Sequence, residues 1–132
     1  MNHAANIFRD LVLDQAAVVS LVVARVYEGV LPKSVTLPAI TYDVLGGEFL
    51  GETAVFQQVD IVVRCFASTR AGAHALYGAL FDGLNSDTQH TLTGGEVVSG
   101  VAAEGSELLL IDPDLEPRAF YAQGQFSMVM ST

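Results

Sequence analysis

From Val55 to Phe66 the side chains alternate. Val55, Val59, Ile61, Val63 and Cys65 share one face, while Phe56, Gln58, Asp60, Val62, Arg64 and Phe66 share the other. A period of two over twelve residues fits a β-strand with one apolar face and cannot be laid on a helix without scattering its apolar residues. What flanks the strand narrows the fold further. Pro38 to Leu45 precedes it, with Ile40, Tyr42 and Val44 alternating against Thr41 and Asp43, and Gly46 to Glu52 reads as a glycine-punctuated loop between the two strands. Strands joined so closely pair antiparallel. Phe49 and Leu50, apolar residues at the loop tip, suggest a hairpin arm in search of a partner.

After the strand the period changes to that of a helix. Ser68-Thr69 offers an N-cap, and Ala73, Leu76, Tyr77, Leu80 and Leu84 then form a stripe suited to packing on a sheet. Gly78 and Ala79 are small enough to allow close approach, and Gly83 and Asn85 suit the helix end.

The N-terminal segment reads as a helix over residues 4–13, with Ile7, Phe8, Leu11 and Val12 on one side. Asp14 is the expected cap of a second short helix over 15–22, and 23–27 reads as a short strand. One continuous helix from Ala4 to Tyr27 fits the same pattern, and Pro32 ends either version.

Towards the C-terminus, Ser86 to Gly95 reads as a polar loop. Val97-Val98 and Leu108 to Ile111 read as strands separated by a bent or bulged stretch. Asp112 to Pro117 is an acidic turn stiffened by two prolines. A last strand sets Phe120, Ala122, Phe126, Met128 and Met130 against Tyr121, Gln123, Gln125 and Ser127. The expected fold is therefore α+β: one domain over residues 1–132, a mainly antiparallel sheet of four to five strands packed by an N-terminal and a central helix.

Composition adds a second constraint. Apolar residues make up 51% of the 132, and about 60% with the 12 glycines, against roughly 45–50% in an average soluble domain. Charged residues are only 16%. A domain this small cannot hide such an excess in its own core, which points to assembly with copies of itself or a partner. No stretch is apolar enough for a membrane span, since Ser20 and Arg25 break the longest one, Ala16 to Val26. The first residues lack the basic head of a secretion signal, and a cytoplasmic origin is expected. The net charge of −9 is uneven: seven acids and five bases up to Arg70, then eight acids against Arg118 alone. Such a chain repels a nucleic-acid backbone instead of gripping it.

Catalytic chemistry is not legible. His3, His74 and His90 lie on a terminus, a helix and a loop, none at metal-ligand spacing from another ligand, and the lone Cys65 reads as a small buried residue. Gly46-Gly47 and Gly94-Gly95 lack the glycine spacing and lysine of a phosphate loop. Arg64 beside Asp60 reads as a charge pair on a strand face. Neither cofactor nor metal is expected.

Ala24-Arg25-Val26-Tyr27-Glu28-Gly29 running into a proline loop, Leu37-Pro38-Ala39-Ile40-Thr41-Tyr42, the long strand Gln58 to Phe66 and the alanine- and leucine-rich helix Ala71 to Leu84 follow one another in a characteristic order. In that order the chain resembles the tail-terminator, or tail-completion, proteins of long-tailed bacteriophages and gene-transfer particles. The resemblance covers nearly the whole chain, with Thr91 to Ala119 matching only in general character. It implies a non-enzymatic subunit, assembled in the host cytoplasm, of a ring that is typically a hexamer. That ring caps the tail tube, ends its growth and meets the head-side connector at the tail neck. Six acidic subunits would let DNA pass through the lumen without adhering. The ring contacts are expected at the hairpin loop (Gly47, Phe49, Leu50, Glu52) and at the acidic turn (Asp112, Asp114, Glu116, Arg118). A head-side neck or stopper ring and a cytoplasmic oligomeric adaptor outside any virion are the competing readings.

Overall fold

A computed structural model describes residues 3–32, 35–50, 56–84, 90–91, 97–112 and 119–131. Among these residues are three helices: α1 (His3–Leu13) and α3 (Arg70–Leu84) pack on one face of a six-stranded sheet, and α2 (Ala16–Val22) packs on α1 and α3. The sheet order is β1-β2-β3-β6-β5-β4. Its body is four long strands: β2 (Ala39–Leu50), β3 (Phe56–Ala67), β5 (Val97–Asp112) and β6 (Ala119–Ser131). These pair antiparallel, while β1 (Val26–Glu28) joins β2 in parallel and β4 (His90–Thr91) joins β5. The α+β expectation holds; the short strand expected near 23–27 is β1, and β4 is the strand the sequence did not suggest.

The alternation in β3 does what its period implies. Val59, Ile61, Val63 and Cys65 are buried under the helices, where they meet Ile40 and Tyr42 of β2 and Ala122, Phe126 and Met128 of β6. The α3 stripe is buried at all five positions read from the sequence: Ala73, Leu76, Tyr77, Leu80 and Leu84. Thr69 caps α3, its hydroxyl accepting from the amide of Gly72 at 3.0 Å. Tyr77 lies across Gly124 of β6, where a Cβ would come within 2.6 Å of the ring. Phe81 and Phe126 flank that ring with centroids 6.4 and 6.3 Å away.

Several boundaries differ from the sequence reading, each for a local reason. The N-cap of α2 is Gln15, not Asp14, because the Asp14 amide is still bound to the Asp10 carbonyl at the end of α1. The separate α1, α2 and β1 follow the main sequence reading and exclude its alternative, a single long helix. Val23 ends α2 at φ 60°, so β1 starts at Val26 and not at Val23. Residues 46–50 are strand and not loop. Leu45 is the extra residue of a bulge, between the pairs Val44↔Ile61 and Gly46↔Asp60, after which β2 pairs on to Leu50.

His90, expected in a loop, lies in β4. The two short strands expected near Val97 and Leu108 are one strand, β5, kept in a single ladder by register shifts at Val98/Gly100 and Glu104/Leu108. Gly78 meets no neighbour, whereas a Cβ on Gly83 would come within 2.6 Å of the Gln15 amide oxygen, so Gly83 is the close-approach glycine of α3.

Arg9 closes the outer edge of the sheet. From α1 its Nε donates to the Val26 carbonyl at 3.1 Å and its Nη2 to the Ala24 carbonyl at 3.4 Å. Those carbonyls would otherwise offer themselves to a foreign strand. Arg25 ties the same corner together, donating to the Pro38 carbonyl at 2.9 Å and the Leu21 carbonyl at 3.3 Å, while its own carbonyl accepts from the Ile40 amide. Its place in the Arg-Val-Tyr motif therefore has a structural cause.

Candidate assembly surfaces

A helix of 15 residues spans about 22 Å, whereas 12 paired strand residues span about 40 Å. α3 alone therefore cannot cover β3 from end to end. At one end of the sheet Leu50 pairs with Phe56, and Phe56 with Ser131. At the other, Ala67 pairs with Phe120, and Asp112 with Ala119.

The expected interface residues divide between these two ends. Gly47, Phe49 and Leu50 belong to the β2–β3 arm, opposite Val59, Gln57 and Phe56. Asp112 is the last residue of β5 and is not part of a loop. The two groups are thus held roughly 30–40 Å apart along the strands and do not form one patch. Glu52, Asp114, Glu116 and Arg118 lie outside the described residues.

The face turned away from the helices carries Thr41, Asp43, Gln58, Asp60, Val62, Arg64, Phe66, Tyr121 and Gln123. Arg64 pairs across the strands and not along its own. Its Nη1 meets the Asp43 carboxylate at 3.2 Å and its Nε donates to the Gln123 side-chain Oε1 at 3.0 Å. Asp60, four residues away on the same strand, is not the partner the sequence suggested, because residues i and i+4 of a strand are about 13 Å apart. Phe66 and Tyr121 stack with centroids 5.0 Å apart.

Between 29–31 and this face lies an open groove of about 380 Å³, lined by Thr41, Arg64, Phe66 and Tyr121. The Thr41 hydroxyl is buried there, and it is the one buried side-chain polar atom among the described residues with no hydrogen-bond partner. Sequence reasoning missed this groove, since residues 29–31 and β6 are distant in the chain from β2 and β3.

On the helical side, α2 presents an outer surface without charge. No charged residue occurs from Gln15 to Ala24, and Ala16, Ala17, Ser20, Leu21, Val23 and Ala24 are all exposed. A surface helix ordinarily turns a polar face to water. Leu21 and Val23 stand 39% and 62% exposed, and Val30 and Leu45 on other elements 82% and 59%.

No group of three or more His, Cys, Asp and Glu residues gathers to hold a metal among the described residues. His74 is exposed on α3 and Cys65 is buried. No helix is long and apolar enough to cross a membrane.

No known family profile matches the sequence, and no curated protein matches it either. Among solved structures, a chain of the virion of a native gene transfer agent particle superposes with a TM-score of 0.68, covering 99% of this chain and 100% of its own. The two share one fold. At 16% identity the likeness speaks for the fold and leaves the role to be argued.

Proposed function

We propose that this protein is a virion structural subunit of a phage-like particle, and within it the tail-terminator ring protein. The ring, six subunits in this reading, closes the tail tube, ends its polymerisation and joins the tail to the head-side connector. The observation that carries the reading is end-to-end likeness of fold to a virion chain of a gene transfer agent. The ordered motifs around Arg25, Pro38 and the α3 helix support it from the sequence side.

The physical character of the molecule agrees. Its exposed apolar residues lie on separate elements (α2, the segment after β1, and β2), as a subunit with several neighbours requires. Contacts within the assembly are assigned to Gly47, Phe49, Leu50 and Glu52 and to Asp112, Asp114, Glu116 and Arg118; of the described residues among them, Gly47, Phe49 and Leu50 stand towards one end of the sheet and Asp112 at the other. Catalysis, cofactor and metal have no part in this role. A charge of −9 on each subunit keeps the lumen from holding DNA as it passes.

Locating the protein in fractionated particles tests the assignment. A terminator stays with isolated tails. Retention on filled, tailless heads would instead identify a head-side stopper, and absence from both would remove the virion role.

A further inference from the structure

The two outer edges of the sheet are finished differently. At the β1 edge Arg9 occupies the Ala24 and Val26 carbonyls, which leaves little backbone for another strand to use. At the other edge β4 pairs with Val97 and Val98 alone, while β5 runs on to Asp112. Among the described residues nothing pairs with the outer side of β5 beyond Val98. In an antiparallel ladder alternate residues turn their N–H and C=O away from the partner strand, so this edge presents a row of open donors and acceptors.

The end of β5 nevertheless has the sequence of a covered strand. Leu108-Leu109-Leu110-Ile111 is an unbroken apolar run, the pattern of an interior strand and not of an edge facing water. From Leu108↔Gln123 to Asp112↔Ala119 it is also in regular register with β6, past the irregularity that follows Glu104. Charge defines what can lie beside it. β5 carries Glu104, Glu107 and Asp112 and no base, and neither β4 nor β6 contains a Lys, Arg, Asp or Glu. The cation nearest in register is Arg64, opposite Gln123 on β3, and it is taken by Asp43.

We propose that the β5 edge from Leu108 to Asp112 receives an extended basic segment of a different protein, a strand with an apolar centre and Lys or Arg at each end. The segment lies in line with β4 and completes the ladder with its own backbone. Its terminal cations come level with Glu104 and Glu107 at one end and with Asp112 at the other. A second copy of this chain does not fit the description. Two β5 edges bring three acids against three, and like charges facing each other across strands repel. Four of the six Lys and Arg residues are already engaged: Arg9 and Arg25 with backbone carbonyls, Arg64 with Asp43 and Arg70 with the Phe120 ring. The other two, Lys33 and Arg118, are far apart in the chain, so no stretch of it offers two free basic flanks around an apolar centre. The inference goes beyond the virion reading and does not depend on it, since particle fractionation judges that reading separately.

Three capped peptides test the contact on the full chain. The first has a Thr-Val-Ile-Val-Thr centre with two lysines at each end, the second has glutamates in place of the lysines, and the third is the first with two adjacent central amides N-methylated. Adjacent N-methyl groups block both edges of the peptide while keeping its charge. Fluorescence anisotropy reads affinity, and amide hydrogen exchange reads the place of binding. The lysine peptide should bind and slow exchange in the end of β5, and the other two should bind at least about tenfold more weakly. Glu104→Gln with Glu107→Gln and Asp112→Asn should cost the lysine peptide about tenfold in affinity, with thermal melts showing that the variant is folded. No binding of the lysine peptide overturns the proposal. Equal binding of the N-methylated or the glutamate peptide overturns it too, as does protection confined to another part of the sheet. Because the peptide changes alone decide these outcomes, the test stands even where the triple variant is unstable.

Discussion

Gly124 is the position at which one added carbon should do the most damage. It lies in the middle of β6 beneath the Tyr77 ring, and a Cβ built there comes within 2.6 Å of both Cε2 and Cζ. Tyr77 has little freedom to retreat, being buried on α3 between Phe81 and Phe126. Gly124→Ala must therefore move the ring or the helix, and overpacking of this kind costs about 1–3 kcal/mol. The gain that alanine normally brings over glycine in a strand, about 0.5–1 kcal/mol, offsets only part of it. The net loss is then about 1–2 kcal/mol, or roughly 3–8 °C in Tm for a domain of this length.

Thermal unfolding should be followed at a concentration where no oligomer forms, since association would add its own stabilisation. The control is Tyr77→Leu, which vacates the space. In the double variant the Gly124→Ala penalty should shrink by more than 1 kcal/mol, a coupling expected only of residues in contact. An undiminished Tm for Gly124→Ala, or strict additivity with Tyr77→Leu, would refute the packing described here.

Three further outcomes follow from the same reasoning. Gly78→Ala, on an open face of α3, should stabilise the protein by about 0.5–1 kcal/mol in urea titrations, since nothing there opposes the higher helix propensity of alanine. Val23→Gly should relieve the φ 60° strain and raise stability by about 1 kcal/mol, read by the same thermal melts. Burial, with Glu28 adding to it, raises the Tyr42 phenol above its ordinary 10.0, so the folded state holds that proton more tightly than the unfolded state. Tyr42 thus contributes a stability that is whole below pH 10 and is lost as the pH climbs towards the raised value. Tyr42→Phe should flatten that alkaline limb and cost about 1 kcal/mol at neutral pH for the hydrogen bond to the Ala5 carbonyl.

The sequence disclosed those parts of the fold whose cause is local. Alternation in β3 and β6, the α3 stripe and the Thr69 cap depend on a few neighbouring side chains, and each is found where the pattern put it. It failed where a distant partner decides. Gly46 and Gly47 looked like loop residues until a bulge at Leu45 let β2 run on along β3. The stretch between Val97 and Leu108 is one strand because β6 holds it in register, not because its glycines and alanines favour extension. Arg64 found its carboxylate on the next strand, a choice that depends on register and is invisible along one chain.

The surfaces followed the same rule. The arm was legible as apolar residues in a turn-rich stretch, but the groove is assembled from the segment after β1 together with β2, β3 and β6, and no single stretch announces it. The uncharged face of α2 is written in the sequence: ten residues without a charge on a chain of net −9 stand out by inspection.

The central claim is that this chain works as a ring-forming virion subunit, and its mass in solution, with and without tail-tube protein, tests it most directly. Light scattering should give a closed species several times the 14.0 kDa of one chain, either alone or once tube ends are supplied. A particle of 14.0 kDa under both conditions, leaving the tube free to keep growing, would contradict it.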